Sequence, residues 1–177
     1  MVYRRELRAG SYAGSVASYR VCFVCLGNIC RSPMAESVFR RRLEEAGLDG
    51  AFEVDSAGTG PWHVGERADP RAAAALRRRG YETDHVAWQF RRESFVDWDL
   101  VVALDRGHVA ELRELAPDAA AAERVRLLRS FDPAGSDGSP DVPDPYYGRE
   151  RGFDRCLDLI EPACEGLLES VRRAAGR

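Results

Sequence analysis

The sequence predicts an α/β domain: a four-stranded parallel sheet flanked by helices on both sides. Three observations carry this. Short β-branched and aromatic runs alternate with longer segments of helical periodicity, the mark of strand–helix–strand units. The strand-like runs are of the buried type, which suits a parallel sheet covered on both faces. The helical segments stop at Gly47, at Gly80 and before Pro117, where helix-terminating residues belong.

In chain order, residues 1–19 are rich in Gly, Ser, Ala, Tyr and Arg and lack periodicity. They read as a flexible N-terminal extension, or the result of an upstream start codon, with residues 20–177 as one domain. Tyr19–Cys25 (YRVCFVC) is the first strand. Ser32-Pro33 opens a helix, with Ser as cap and Pro in the first turn; Ala35, Val38, Phe39, Leu43 and Ala46 form its core stripe. Phe52–Ser56 is a strand, Pro70–Arg79 a helix, Leu100–Leu104 a strand, Gly107–Leu115 a helix and Val125–Leu128 the fourth strand. Phe153 to about Arg173 closes the chain as a helix, with Cys156, Leu157, Ile160, Cys164, Leu167, Leu168 and Val171 on one face. Pro162 inside it predicts a kink. No internal repeat is present, and the one long low-complexity stretch is Ser130–Gly152.

At 177 residues, 45% hydrophobic and 31% charged, the chain can bury a core without disulfides or metals. Its net charge of −3 gives no reason to expect nucleic acid or an anionic membrane as partner. All 26 basic residues are Arg, which codon bias in a GC-rich genome explains. No apolar run reaches membrane-spanning length, and Gly10–Tyr19 is too polar for a signal peptide, so a cytoplasmic address is expected. The five cysteines, odd in number and not spaced as a disulfide framework, fit a reducing compartment.

Ligands on parallel sheets bind at the carboxyl ends of strands, and the first such end is Cys25. The segment Cys25-Leu26-Gly27-Asn28-Ile29-Cys30-Arg31-Ser32-Pro33 joins the first strand to the first helix. Backbone N–H groups and the positive end of the dipole make an anion site at such a helix start. Gly27 and Asn28 tolerate the backbone angles of a nest. Arg31 adds a planar fork for two phosphate oxygens. The same field favours the Cys25 thiolate, and Ser32 is placed to donate a hydrogen bond to it. Sulfur beneath a bound phosphate is a nucleophile in line with the leaving group. The leaving oxygen then needs a proton, and Asp144 in Asp144-Pro145-Tyr146-Tyr147-Gly148 is the first candidate, with Asp132 and Asp141 as rivals.

The two segments together resemble the low-molecular-weight protein tyrosine phosphatases, bacterial branch, over about Tyr19 to the C-terminus. Ser56–His63 (SAGTGPWH) adds to the likeness. The resemblance implies a flavodoxin-like fold, with Cys25 as nucleophile, Arg31 as phosphate clamp and Asp144 as general acid and base. It implies that Asn28 and Ser32 brace the loop, and that Leu26, Trp62, Tyr146 and Tyr147 wall the pocket, with Gly27, Ile29 and Cys30 completing the phosphate loop. It further implies phosphotyrosine-containing proteins as substrates, phosphate or other oxyanions as loop ligands, and no cofactor. In that family the cysteine matching Cys30 can bond the oxidised nucleophile; from chemistry alone Cys30 is equally a packing residue.

Other readings compete. Cys22 and Cys25 form no redox or zinc pair, because residues three apart on a strand face opposite ways. Cys22, Cys156 and Cys164 read as core. Trp62 lies in a Gly/Pro loop and reads as a ligand or partner contact. The Arg71–Arg79 run reads as a solvated face, and His63, His85 and His108 show no metal spacing. His85 is expected to support the Asp55-Ser56 strand. Arsenate reductase, on the same fold, needs relay cysteines, and none occurs between Arg31 and Arg155. Phosphoarginine phosphatases, to which the fold is also similar, typically carry Thr where Ile29 stands. A non-catalytic phosphotyrosine-binding module would not need the nucleophile, clamp and acid together.

Overall fold

The structure is a computed structural model that describes residues 18–135 and 139–175. The expected N-terminal extension lies outside these residues, apart from Ser18 and Tyr19; Tyr19 is already the first residue of a strand. Strands β1 (Tyr19–Cys25), β2 (Phe52–Gly58), β3 (Leu100–Ala103) and β4 (Val125–Leu127) make one sheet in the order β2-β1-β3-β4. Every pairing is parallel. β1 is therefore interior, and its register ends with Cys25 opposite Gly58.

Helices α1 (Arg31–Glu45), α2 (Pro70–Arg78), α3 (Arg106–Leu115), α4 (Ala119–Glu123) and α5 (Glu150–Ala175) connect and cover the strands. Alternation along β1 splits the core. Val21, Phe23 and Cys25 pack with Phe39, Leu76, Leu157 and Ile160 from α1, α2 and α5. Cys22 and Val24 face the other way, with Phe90, Phe95, Leu112 and Ala121. The two cysteines of the Cys22-x-x-Cys25 spacing thus sit on opposite faces of the sheet, as extended backbone requires.

Local chemistry fixes the helix ends. Gly47 takes a left-handed φ of 66° after α1, and Leu48 N donates to Leu43 O at 2.8 Å. That is a Schellman close. Ala46 stands at this C-cap and is exposed, outside the α1 core stripe that the sequence predicts. Ser32 is not the N-cap of α1: the helix begins at Arg31, Cys30 occupies the cap position, and no side chain caps it. The Ser32 hydroxyl turns back to Cys25 instead. The first-turn amides are left without a cap side chain, as an anion site needs. α2 and α3 are capped conventionally, by the Asp69 and Asp105 carboxylates.

α5 continues through Pro162 and buries the predicted face. It presses so closely on the 3-10 turn Leu128–Phe131 that a Cβ on Gly166 would lie 1.7 Å from the Phe131 carbonyl oxygen. α4 and the 3-10 turn Arg92–Asp97 are additions that the sequence pattern leaves as loop. Among the described residues, no helix is long and apolar enough to cross a membrane.

Candidate active site

Beyond Cys25 the chain turns into a tight loop that ends at α1. Asn28 makes the turn possible, with a left-handed φ of 56°. Its backbone N–H points at Cys25 Sγ, 3.3 Å away, and Ser32 Oγ lies 3.0 Å from the same sulfur. Two groups besides the Arg31 charge are therefore aimed at the sulfur from the helix side.

Asn28 also ties the loop to the sheet. Its Nδ2 donates to Ser32 Oγ at 2.9 Å and Ser56 Oγ at 3.0 Å. Its Oδ1 accepts from Trp88 N at 2.9 Å, and its carbonyl accepts from His85 Nε2 at 2.6 Å. Ser56 in turn donates to the buried Glu36 carboxylate at 2.7 Å. Burial works to raise the Glu36 carboxyl, but hydrogen bonds from His85 and Ser56 and the Arg40 charge hold it below the ordinary carboxylate range. His85 accordingly supports the strand at Ser56, with Nδ1 3.4 Å from Ser56 Oγ. The loop also leans directly on β2: a Cβ on Gly58 would come 2.7 Å from the Leu26 carbonyl.

Arg31 is buried and fixed in place. Its Nη1 donates to Asp105 Oδ2 at 2.7 Å and to the Val142 carbonyl at 3.1 Å. Its Nη2 lies 3.4 Å from Asp144 Oδ2. The same Asp105 carboxylate caps α3 through His108 N at 2.9 Å, so the arginine is anchored to a helix end. One cavity of about 440 Å³ gathers these groups: Cys25, Leu26, Gly27, Ile29, Cys30 and Arg31 from the loop, Trp62 and His63 from the segment after β2, and Asp144, Tyr146 and Tyr147 from the segment before α5. A sulfur at the floor, a fixed guanidinium beside it and a half-exposed carboxylate at the wall make a site for an oxyanion ester.

The family model described as low molecular weight phosphotyrosine protein phosphatase matches residues 20–176. The chain belongs to this family. A Streptomyces coelicolor protein named low molecular weight protein-tyrosine-phosphatase is 61% identical over 155 residues, 88% of this chain and 94% of the relative. A Mycobacterium tuberculosis relative, low molecular weight protein-tyrosine phosphatase A, is 52% identical over 157 residues, 89% of this chain and 94% of its own. Among solved structures, an Entamoeba histolytica protein tyrosine phosphatase with Hepes in the active site superposes with a TM-score of 0.84 at 35% identity. The match covers 89% of this chain and 99% of that one.

Most phosphatase-family positions expected from the sequence meet at the cavity. Asn28 and Ser32 do not line it; they stand behind the loop as braces. The rival carboxylates are engaged elsewhere. Asp141 pairs with Arg106 at 3.0 Å, and Asp132 lies 3.6 Å from Arg129. Trp62 is 66% exposed, yet its ring rests on Gly60, where a Cβ would fall 1.6 Å from Cζ3. Cys30 lines the cavity, and burial, then the Asp69 charge, push its thiol well above the ordinary value. Burial pushes the Cys156 thiol up to about 12.

Two groups escape the sequence pattern. His63 lines the cavity, with Nδ1 2.8 Å from Glu66 Oε2; its place at the end of the Ser56–His63 segment is the available signal. Asp105, the anchor of Arg31, is marked in the sequence only as a capping residue after β3.

Proposed function

We propose that this chain hydrolyses phosphotyrosine in proteins through a phosphocysteine intermediate. The observation that carries the reading is that Cys25, Arg31 and Asp144 line one cavity, with the sulfur within hydrogen-bond range of Asn28 N and Ser32 Oγ. In the first step the Cys25 thiolate attacks phosphorus. The S–P bond forms, the P–O bond to the tyrosine ring breaks, and Asp144 gives its proton to the departing phenolate. Arg31 and the loop amides hold the three equatorial oxygens, where charge gathers in the transition state. In the second step Asp144, now a carboxylate, takes a proton from a water that attacks phosphorus. The S–P bond breaks, and phosphate leaves as the thiolate returns, with Ser32 stabilising the departing sulfur.

Leu26, Trp62, Tyr146 and Tyr147 are the walls assigned to the phenyl ring, and this aromatic rim favours a flat aryl ester over phosphoserine. Gly27, Asn28, Ile29, Cys30 and Ser32 belong to the phosphate loop. Residues 20–177 act as one domain. The protein works in the cytoplasm, a location supported by five cysteines that are all free thiols. Its partners are phosphotyrosine-containing proteins and, as inhibitors, inorganic oxyanions.

Turnover of a phosphotyrosyl peptide, a phosphoarginyl peptide and p-nitrophenyl phosphate tests the assignment, together with Cys25→Ser. The variant is expected to lose turnover but keep vanadate or phosphate binding. Comparable turnover in Cys25→Ser removes the covalent mechanism, and preference for the phosphoarginyl peptide replaces the substrate.

A further inference from the structure

Arg71 stands in the first turn of α2, but its side chain leaves the helix. Both oxygens of Asp69 hold the guanidinium, Nε to Oδ1 at 3.0 Å and Nη2 to Oδ2 at 2.8 Å. Its Cζ lies over two rings, 4.8 Å from the Phe153 centroid and 5.7 Å from that of Tyr146. From there it donates to the Tyr146 carbonyl at 3.0 Å and to the Gly148 carbonyl at 3.4 Å. The Asp69 backbone N–H donates at 2.7 Å to the carbonyl of Ile29, inside the loop around Cys25. One ion pair therefore links the loop that carries the sulfur to the turn that carries Asp144.

That turn has few other restraints. Upstream of Asp144 the chain is held, with Asp141 paired to Arg106 at 3.0 Å, Val142 N bonded to Leu104 O at 2.9 Å, Val142 O accepting from Arg31 Nη1 at 3.1 Å and Cys156 Sγ reaching Pro143 O at 3.2 Å. Asp144 itself meets Arg31 Nη2 at 3.4 Å. Downstream, the hydrogen bonds of Asp144–Gly148 among the described residues are internal, Tyr146 N to Asp144 Oδ1 at 3.1 Å and Gly148 N to Pro145 O at 2.9 Å, or come from Arg71. A guanidinium is well suited to hold such a turn, being planar, always charged, and left with donors to spare after a bidentate pair.

We propose that the Asp69–Arg71 pair is a positioning clamp that sets where Asp144 delivers its proton relative to Cys25. The inference rests on the reading of Asp144 as general acid. Arg71 touches no reacting atom; it acts through the turn.

The test uses the full chain and its Arg71→Ala, Arg71→Lys, Asp144→Ala and Arg71→Ala/Asp144→Ala variants. kcat/KM is read on aryl phosphates from phenyl phosphate, a poor leaving group, to 2,4-dinitrophenyl phosphate, which needs no proton. Inhibition by inorganic phosphate and thermal midpoints are read alongside. Arg71→Ala is expected to lose roughly tenfold on phenyl phosphate and less than about twofold on the dinitrophenyl ester, with phosphate inhibition unchanged. Arg71→Lys recovers part of the loss. In the Asp144→Ala background, Arg71→Ala costs less than about twofold on phenyl phosphate, because two residues acting as one unit are not additive. An equal loss on every ester, or full additivity with Asp144→Ala, overturns the clamp while leaving Asp144 as acid. A leaving-group-independent loss in Asp144→Ala overturns the acid and the clamp together. Should Arg71→Ala fail to fold, Arg71→Lys alone carries the same leaving-group readout.

Discussion

Replacing Asn28 separates backbone geometry from hydrogen bonding at the heart of the loop. Asn28→Ala removes three side-chain hydrogen bonds, to Ser32, Ser56 and the Trp88 amide, all in buried or partly buried surroundings. At about 0.5–1.5 kcal/mol net for each, the loss is roughly 1.5–4.5 kcal/mol. The φ of 56° strains an alanine by about 1 kcal/mol more. Asn28→Gly loses the same three bonds without that strain, so it should be about 1 kcal/mol more stable than the alanine variant. The glycine loss of roughly 1.5–4.5 kcal/mol lies below the roughly 5–15 kcal/mol of an ordinary domain, so that variant remains folded at about 25 °C, while the alanine loss of roughly 2.5–5.5 kcal/mol overlaps only the lower end of that range. Urea unfolding with linear extrapolation reads the difference. Both variants should also lose about 10–100-fold in turnover as the Asn28 amide drifts from the sulfur. An alanine variant at least as stable as the glycine one would refute the left-handed constraint. A loss below about 1 kcal/mol would refute the role of the side chain as hub of the network.

Ser32→Ala should slow the second chemical step about tenfold or more, since the departing sulfur loses a hydrogen bond at 3.0 Å; a pre-steady-state burst of phenol should grow, and an unchanged burst contradicts the assignment. Gly60→Ala forces the Trp62 ring off its seat; KM for aryl phosphates should rise several-fold with phosphate inhibition steady, and equal effects on both would show that the ring does not meet substrate. Burial, first among its causes, holds the His108 imidazole below its ordinary value. The unfolded chain therefore takes up the proton first, and the associated stability is whole above about pH 6.5 and is lost as pH falls below it. His108→Gln should flatten the decline in urea midpoint between about pH 7 and 5, whereas parallel curves would rule this histidine out.

The fold was legible where local chemistry and packing agree. The β1 run, the Gly47 stop and the α5 face each follow from periodicity and burial, and each stands in the structure. The phosphate loop was legible through Asn28, which alone in it takes the left-handed turn. Gly27, expected to share that angle, does not; its missing side chain instead makes room for His63, whose Cδ2 would lie 2.9 Å from a Cβ there. Ser32 is not the cap its sequence context suggests, although a serine before a proline is normally a good one; here the helix starts one residue earlier, and the hydroxyl lies 3.0 Å from the Cys25 sulfur and 3.3 Å from the Ala57 carbonyl. The Arg71–Arg79 run has the look of solvated surface, yet Arg71 reaches the Asp144 turn, and Arg79 bonds Asp158 at 2.6 Å and Glu161 at 3.0 Å on α5. Such pairings, more than 70 residues apart in the chain, leave no trace in a local pattern. Asp105 was hidden for the same reason, its partner Arg31 lying 74 residues away. His63 bonds Glu66 only three residues on, and it is the path of the segment after β2 that brings it to the cavity.

Because β1 has a strand on either side, the backbone beneath the sulfur opens only when the whole sheet does. The carboxylate opposite it rides on a surface turn. Amide exchange at Cys22–Val24 should thus report global opening, while that at Tyr146–Gly148 runs orders of magnitude faster. Warming would therefore erode proton delivery well before the nucleophile lost its seat, leaving a protein that still forms a phosphoenzyme from activated esters but stalls on tyrosine.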